Sequence, residues 1–396
     1  MEFRLIILFL AIMCAGGGCK TFPVSGNIDF SGSTLQRTLY LIEVKSFSSL
    51  ASSFEGKVLD SAQFDVKGNF FFQNMPDKEG QNIYLLALQK PGEKFLTRLE
   101  NENPLASNYL PFLYCPGDKV IIFSKALSML KEVTIKSKIP ENIVLQNLSR
   151  KRVEWYQQYF LENKSADEES HIENEASKLN YQKVILNFVK EEKNIYVQSM
   201  ALRWASPAGD YERLADEVRE VCTKLKVYDP EHPWTNQICV KSTSLPPVTG
   251  DVFPHIFFPT SDYDSISIKK LLATKLTLVD LWASWCAPCR KENKQVLVPL
   301  WDQFHKKGFE IIGYALDSSE KGWKAAILND GADRWKHFSH LKGDESPVFE
   351  TIHMTMIPAN FLLDSRGVIV AKNLHGESLK SLWKIIFEVK IRKQIK

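Results

Sequence analysis

Beyond its first twenty positions this 396-residue chain has no apolar run long enough to cross a bilayer, which excludes an internal transmembrane helix. Charge of one sign is equally lacking. The 50 basic and 47 acidic side chains are spread along the sequence for a formal net charge of +3, so the basic footprint of a nucleic-acid surface is missing and no nucleic-acid partner is expected. Histidine is scarce, at 8 residues, and pairs such as His337 with His340 or Glu350 with His353 lack the further ligands of a metal centre. No metal site is expected, and no internal repeat of fixed period is found. A surplus argues against disorder as the default: 44% hydrophobic against 24% charged residues, over a length sufficient for two or three folded units.

The start of the chain reads differently from the rest. Arg4 precedes the apolar run 5–13, then come Ala15, Gly16, Gly17 and Gly18, then Cys19. Residues 1–19 read as an export signal, too short for a spanning helix. Its end resembles a bacterial lipoprotein signal, which implies lipid on Cys19 as the first mature residue and a protein held at a membrane of the cell envelope, facing the periplasm. Export implies an oxidising compartment. With Cys14 removed and Cys19 lipidated, Cys115, Cys222, Cys239, Cys286 and Cys289 remain. If the last two pair, Cys222 and Cys239 can be bridged with Cys115 left buried, or stand as two separate buried thiols; sequence does not choose.

From 20 to 124, short β-type runs at 38–44, 63–66, 69–73 and 83–88 alternate with turn residues, Lys67-Gly68-Asn69 among them, so a small β-rich domain is expected. Over 125–241 the apolar period lengthens to that of helices. Tyr181, Ile185, Phe188 and Val189 share one face, and Leu214, Val218, Val221 and Leu225 another. Trp155, Tyr156, Tyr159 and Phe160 at helical spacing read as packing, not as a ligand box. Leu245-Pro246-Pro247 and Gly250 then interrupt every pattern, so 242–251 reads as a linker. Over 252–396 strands and helices alternate: strands at 277–283 and 309–316, a helix between them reaching about His305, a helix near 322–329, a hairpin over 361–370 turning at Gly367, and a final helix. That is an α/β domain.

The chemistry lies in Leu278-Val279-Asp280-Leu281-Trp282-Ala283-Ser284-Trp285-Cys286-Ala287-Pro288-Cys289-Arg290. A strand running straight into a helix presents Cys286 at the positive end of the helix dipole, where a thiolate is stabilised. Two intervening residues let the second sulfur approach the first across one helical turn, as an intramolecular disulfide requires. Pro288 suits the first turn, where its missing N–H costs little. Cys286, the outer sulfur, is the expected nucleophile and Cys289 the resolving thiol. A structural zinc half-site or a static disulfide is the bland reading, but zinc would need a second ligand pair and none stands at suitable spacing.

This stretch closely resembles the thioredoxin superfamily. More narrowly, the export signal, the Trp-Ala-Ser-Trp-Cys-x-Pro-Cys-Arg wording and Glu292 look like the TlpA/ResA-type envelope reductases. The likeness covers roughly 252–396 and implies an α/β thioredoxin-like fold there, preceded by the small β-rich domain and the helical segment. The β-rich part resembles an N-terminal domain of unassigned function that precedes such folds. Asp280, in the place of a buried aspartate thought to move protons for the resolving cysteine, would as an unpaired acid in an apolar strand keep its proton near neutral pH. Met356-Ile357-Pro358-Ala359-Asn360-Phe361 resembles the superfamily's cis-proline loop, which implies that Pro358 faces the cysteines and that the Ile357 backbone pairs with an extended substrate strand. Trp285 is a further expected substrate contact. Two departures stand out: Lys294 replaces the helix-kinking proline common in this helix, and Ala287-Pro288 lacks the histidine of strongly oxidising relatives, which leans toward a reductant.

The expected activity is disulfide exchange, in which Cys286 attacks a protein disulfide and Cys289 releases the reduced product. No bound organic cofactor is needed, and the resemblance implies a membrane thiol-disulfide transporter as electron donor. The alternative from another class is a ligand- or partner-binding envelope lipoprotein that uses the pair as a redox sensor or copper carrier. Copper favours a nearby histidine, and none flanks the motif.

Overall fold

A computed structural model of the chain describes residues 22–51, 57–93, 96, 98–162, 171–260, 264–376, 379 and 381, the side chains of 171–176 excepted. The expected export signal with Cys19, and most of the expected final helix, lie outside the described residues. Two compact units are formed, one ending at Gly209 and the other running on from Asp210.

In the first unit the strands are β1 (Val24–Asp29), β2 (Thr38–Glu43), β3 (Lys57–Gln63), β4 (Asn69–Phe72), β5 (Asn82–Leu88), β6 (Tyr109–Tyr114), β7 (Val120–Lys125) and β8 (Thr134–Lys136). They form two four-stranded sheets, ordered β4-β1-β7-β8 and β3-β2-β5-β6. β7 shows why: Val120, Ile122 and Ser124 are buried while Ile121, Phe123 and Lys125 are exposed, the period of a strand with one face on a core. Helices α1 (Glu141–Tyr156), α2 (His171–Phe188) and α3 (Ile195–Ala205) follow. Asn142 ties α1 to β6, donating Nδ2 to Leu113 O at 2.8 Å and accepting Leu113 N at 2.7 Å. The aromatic residues at the end of α1 are packing, with Tyr156 and Phe160 edge-on to Tyr181.

The second unit opens with α4 (Ala215–Tyr228) and α5 (Pro233–Thr243), which bury Val218, Val221, Leu225 and Ile238 and are joined by the disulfide Cys222–Cys239. The stretch 125–241, read as one helical segment, is thus shared between the units, and it also holds the strand β8. Residues 242–251, read as a linker, are docked: Gly250 N donates to Ile369 O and Ile369 N to Asp251 O, each at 2.9 Å. Proline and glycine interrupt the local pattern there without freeing the chain, because tertiary hydrogen bonds satisfy the backbone where local ones stop.

Next come β9 (Phe257–Pro259), β10 (Ser265–Ser267), β11 (Leu276–Trp282), α6 (Ala287–Glu292), a π turn over Asn293–Leu297, α7 (Val298–Phe304), β12 (Phe309–Ala315), α8 (Glu320–Asp330), β13 (Lys336–Phe338), α9 (Pro347–Thr351), β14 (Ala359–Asp364) and β15 (Ile369–Lys372). A five-stranded sheet runs β13-β12-β11-β14-β15, with β12 parallel to β11 and β14 antiparallel to it. Central β11 is buried at every position, as a strand covered on both faces must be. Val279 and Leu281 join one core with Ile312 and Phe361; Leu276 and Leu278 join another with Leu297, Leu300 and Phe304. Burying side chains of this size contributes about 1.5–3 kcal/mol each. Gly367, with φ of 82°, makes the turn from β14 to β15.

Candidate redox site

Past the end of β11 the chain enters α6 through Ser284 and Trp285, and the entry is pinned by the residue two beyond β12. Ser284 N donates to Asp317 Oδ2 at 2.9 Å, and Ser284 Oγ donates to Asp317 Oδ1. Cys286 is the N-cap of α6 with extended dihedrals, Pro288 stands in the first turn, and Cys286 Sγ accepts the N–H of Cys289 at 3.2 Å. The two sulfurs are bonded, with Cα atoms 5.3 Å apart, and the residues are 6% and 3% exposed. When that bond is opened, the helix start favours negative charge on the outer sulfur.

Arg290 turns back on the entry loop. Its Nη1 donates to Ser284 O at 3.1 Å, and its Nε and Nη2 hold the carboxylate of buried Asp330, Nη2 at 2.7 Å from Oδ1. Lys294, standing where a kinking proline is common, brings Nζ to 3.2 Å from the same Oδ1. The α-helical pattern is interrupted all the same. Residues 293–297 form a π turn, and Pro299 follows in the first turn of α7.

Asp280 lies mid-strand on β11, in register with Gly313 of β12 and Asn360 of β14. It is buried, and its carboxyl is held well above the usual carboxylate range, first by burial and then by the charge of Glu292. Glu292 is buried too but has partners: its Oε2 is 2.8 Å from His375 Nδ1, and its Oε1 accepts Gly376 N at 3.3 Å. Gly313 has to be glycine, since a Cβ there would stand 2.4 Å from Nδ1 of His337. His337 is packed against Trp282 and Trp335, and burial lowers its pKa to about 4. Its former companion His340 lies 2.7 Å from the Tyr314 hydroxyl. Among the described residues no group of three or more His, Cys, Asp or Glu could hold a metal ion.

The loop before β14 carries a cis peptide between Ile357 and Pro358. Ile357 packs on the core cluster that includes Cys286, Cys289, Ile352, Met354 and Ala359, so the fold brings loop and cysteine pair into one cluster. The N–H and C=O of Ile357 have no hydrogen-bond partner among the described residues. Trp285 is 64% exposed. No sequence pattern points to the residue that holds this loop, Glu212. Its carboxylate accepts Thr355 N at 2.9 Å, Thr355 Oγ1 at 2.7 Å and Met356 N at 3.0 Å. Asp317 and Asp330 are equally silent in the sequence, because a single acid far from a motif creates no period or spacing.

A family model described as thioredoxin-like matches residues 274–369. The chain is 30% identical over 124 residues to a Bacillus cereus protein named thiol-disulfide oxidoreductase ResA, which covers 31% of this chain and 68% of that relative. It is 27% identical over 121 residues to the thiol:disulfide interchange protein DsbE of Pseudomonas fluorescens, covering 30% of this chain and 63% of the relative. Among solved structures, the thioredoxin domain of a Bacteroides vulgatus thiol-disulfide oxidoreductase is 34% identical, with 35% of this chain and 98% of that one covered and a TM-score of 0.32.

Proposed function

This chain belongs to the thioredoxin-like thiol-disulfide oxidoreductases, and from that premise we propose that Cys286 and Cys289 are its redox pair and that it reduces protein disulfides in the cell envelope. The observation that carries this reading is the N-cap position of Cys286, with the N–H of Cys289 aimed at its sulfur. In the reduced protein that N–H and the helix dipole stabilise the Cys286 thiolate, the nucleophilic form.

The thiolate attacks one sulfur of the substrate disulfide. A bond forms between Cys286 and that sulfur, and the other substrate sulfur leaves as a thiolate and takes up a proton. Cys289 then gives up its proton and attacks Cys286 Sγ, the mixed disulfide breaks, and the remaining substrate sulfur leaves and is protonated. Two electrons have passed to the substrate, and the protein is left as the Cys286–Cys289 disulfide found in this structure. Asp280, whose carboxyl is held well above the usual carboxylate range by burial and by the charge of Glu292, is suited to exchange a proton with Cys289. Sulfur carries both electrons, so the exchange needs no organic cofactor.

Two features support docking of an extended substrate. The unpartnered N–H and C=O of Ile357, next to Pro358, offer main-chain hydrogen bonds that do not read side chains, and the exposed Trp285 ring offers an apolar surface beside Cys286. The 1–19 segment supports export, with lipid on Cys19 holding the protein at a membrane on its periplasmic side and a membrane thiol-disulfide transporter returning the dithiol to its reduced form. Among the described residues no helix is long and apolar enough to cross a membrane.

The test is a trapping pair. Cys289→Ser should attack a substrate disulfide once and stop as a mixed disulfide on Cys286, visible by intact mass, whereas Cys286→Ser should form no adduct and reduce nothing. Adducts on Cys289 in the second variant would overturn the assignment.

A further inference from the structure

We propose that Glu212, outside the segment the family model matches, is a positioning residue that sets the register in which a substrate strand docks beside the redox pair. The inference rests on the reading of the Ile357 backbone as the substrate contact. The loop before Pro358 carries the backbone N–H groups of three successive residues, Thr355, Met356 and Ile357. Those of Thr355 and Met356 are already taken by the Glu212 carboxylate, at 2.9 and 3.0 Å, together with the Thr355 hydroxyl at 2.7 Å. Hydrogen bonds to an ionised acceptor are roughly twice as strong as neutral ones, so an incoming carbonyl does not displace this one. At Ile357 both backbone groups are left without a partner among the described residues. Main-chain donation to the substrate is therefore confined to the N–H of Ile357, and a strand whose acceptor has one place to bind presents one bond to Cys286.

The clamp is built on a rigid element. Glu212 is 6% exposed and belongs to a short 3₁₀ turn, Glu212–Leu214, that runs directly into α4. The disulfide Cys222–Cys239 joins α4 to α5. Near its start α4 is fastened again, where Asp216 Oδ1 accepts Thr249 N at 2.8 Å and Asp216 Oδ2 lies 3.5 Å from Lys372 Nζ on β15. A side chain on a turn that leads straight into an anchored helix holds a loop more closely than the loop holds itself. The stretch that reads as part of a separate helical segment thus reaches the substrate loop.

The experiment compares the full-length wild type with Glu212→Gln and Glu212→Ala, re-reduced by dithiothreitol, on two substrates: oxidised insulin, which has a peptide backbone, and dithiobis(nitrobenzoate), which has none. Glu212→Ala should raise KM for insulin by roughly tenfold while kcat changes little, and the ratio of the two KM values should shift by the same factor. Glu212→Gln, which keeps one acceptor oxygen, should fall between. The reduction potential of the cysteine pair should stay at the wild-type value, since nothing at the sulfurs has changed. An unchanged KM ratio in both variants overturns the proposal, as does an equal loss on both substrates, which would mark general damage to the domain. Wild-type protein that turns over neither substrate would instead sink the redox reading on which this rests.

Discussion

Asp280→Asn should make the protein more stable and less active, and the two effects have one cause. Burial and the charge of Glu292 hold the Asp280 carboxyl well above its ordinary value of 3.8. In the window between the unfolded and the folded pKa, the folded chain binds a proton that the unfolded chain has released, so stability falls as pH rises through it. Each pH unit of that window costs about 1.4 kcal/mol, and below the unfolded value the cost vanishes. An amide does not titrate. The variant should therefore match the wild type near about pH 4 and exceed it at neutral pH by an amount on the order of 1 kcal/mol or more, the cost of burying an ionisable group. Calorimetric unfolding at the two pH values, which can separate the transitions of the two units, measures this directly. Turnover moves the other way. An amide cannot take the Cys289 proton, so decay of the mixed disulfide, followed by stopped flow, should slow by about a hundredfold while the first attack is spared. A stability difference that is the same at both pH values would refute the argument from burial, and unchanged decay would reduce Asp280 to a structural residue.

The second disulfide should be structural. Replacing Cys222 and Cys239 together by alanine opens a loop with a sequence separation of 17 and should cost about 3 kcal/mol in urea unfolding, with the Cys286–Cys289 potential unchanged; a midpoint equal to wild type would contradict this. The export reading predicts a mature chain that begins at Cys19, carries lipid and partitions into detergent, and an intact mass showing cleavage elsewhere would defeat it.

The sequence alone determined what depends on neighbours along the chain. Cys286 and Cys289, with Pro288 between them and an apolar strand before them, specify a helix start with a sulfur at its cap, because capping and dipole act within one turn. The α/β alternation after residue 252 and the turn at Gly367 were legible for the same reason: each rests on a period or on a single φ. Asp280 was legible as an oddity, a carboxyl in an apolar run. What the tertiary structure decided has no local signature. Glu212 reaches Thr355, Arg290 reaches Asp330 and Glu292 pairs with His375 across gaps that no spacing rule covers. Residues 242–251 look like a linker because Pro246, Pro247 and Gly250 break every pattern, yet hydrogen bonds to Ile369 dock them. Lys294 stands where a kinking proline is common, yet the helix is still interrupted there, by a π turn over Asn293–Leu297 that no single residue type announces. Side-chain pairing, docking and helix irregularity are settled by which surfaces the packed core brings together, and that sum over the whole fold is not written in any short stretch of the chain.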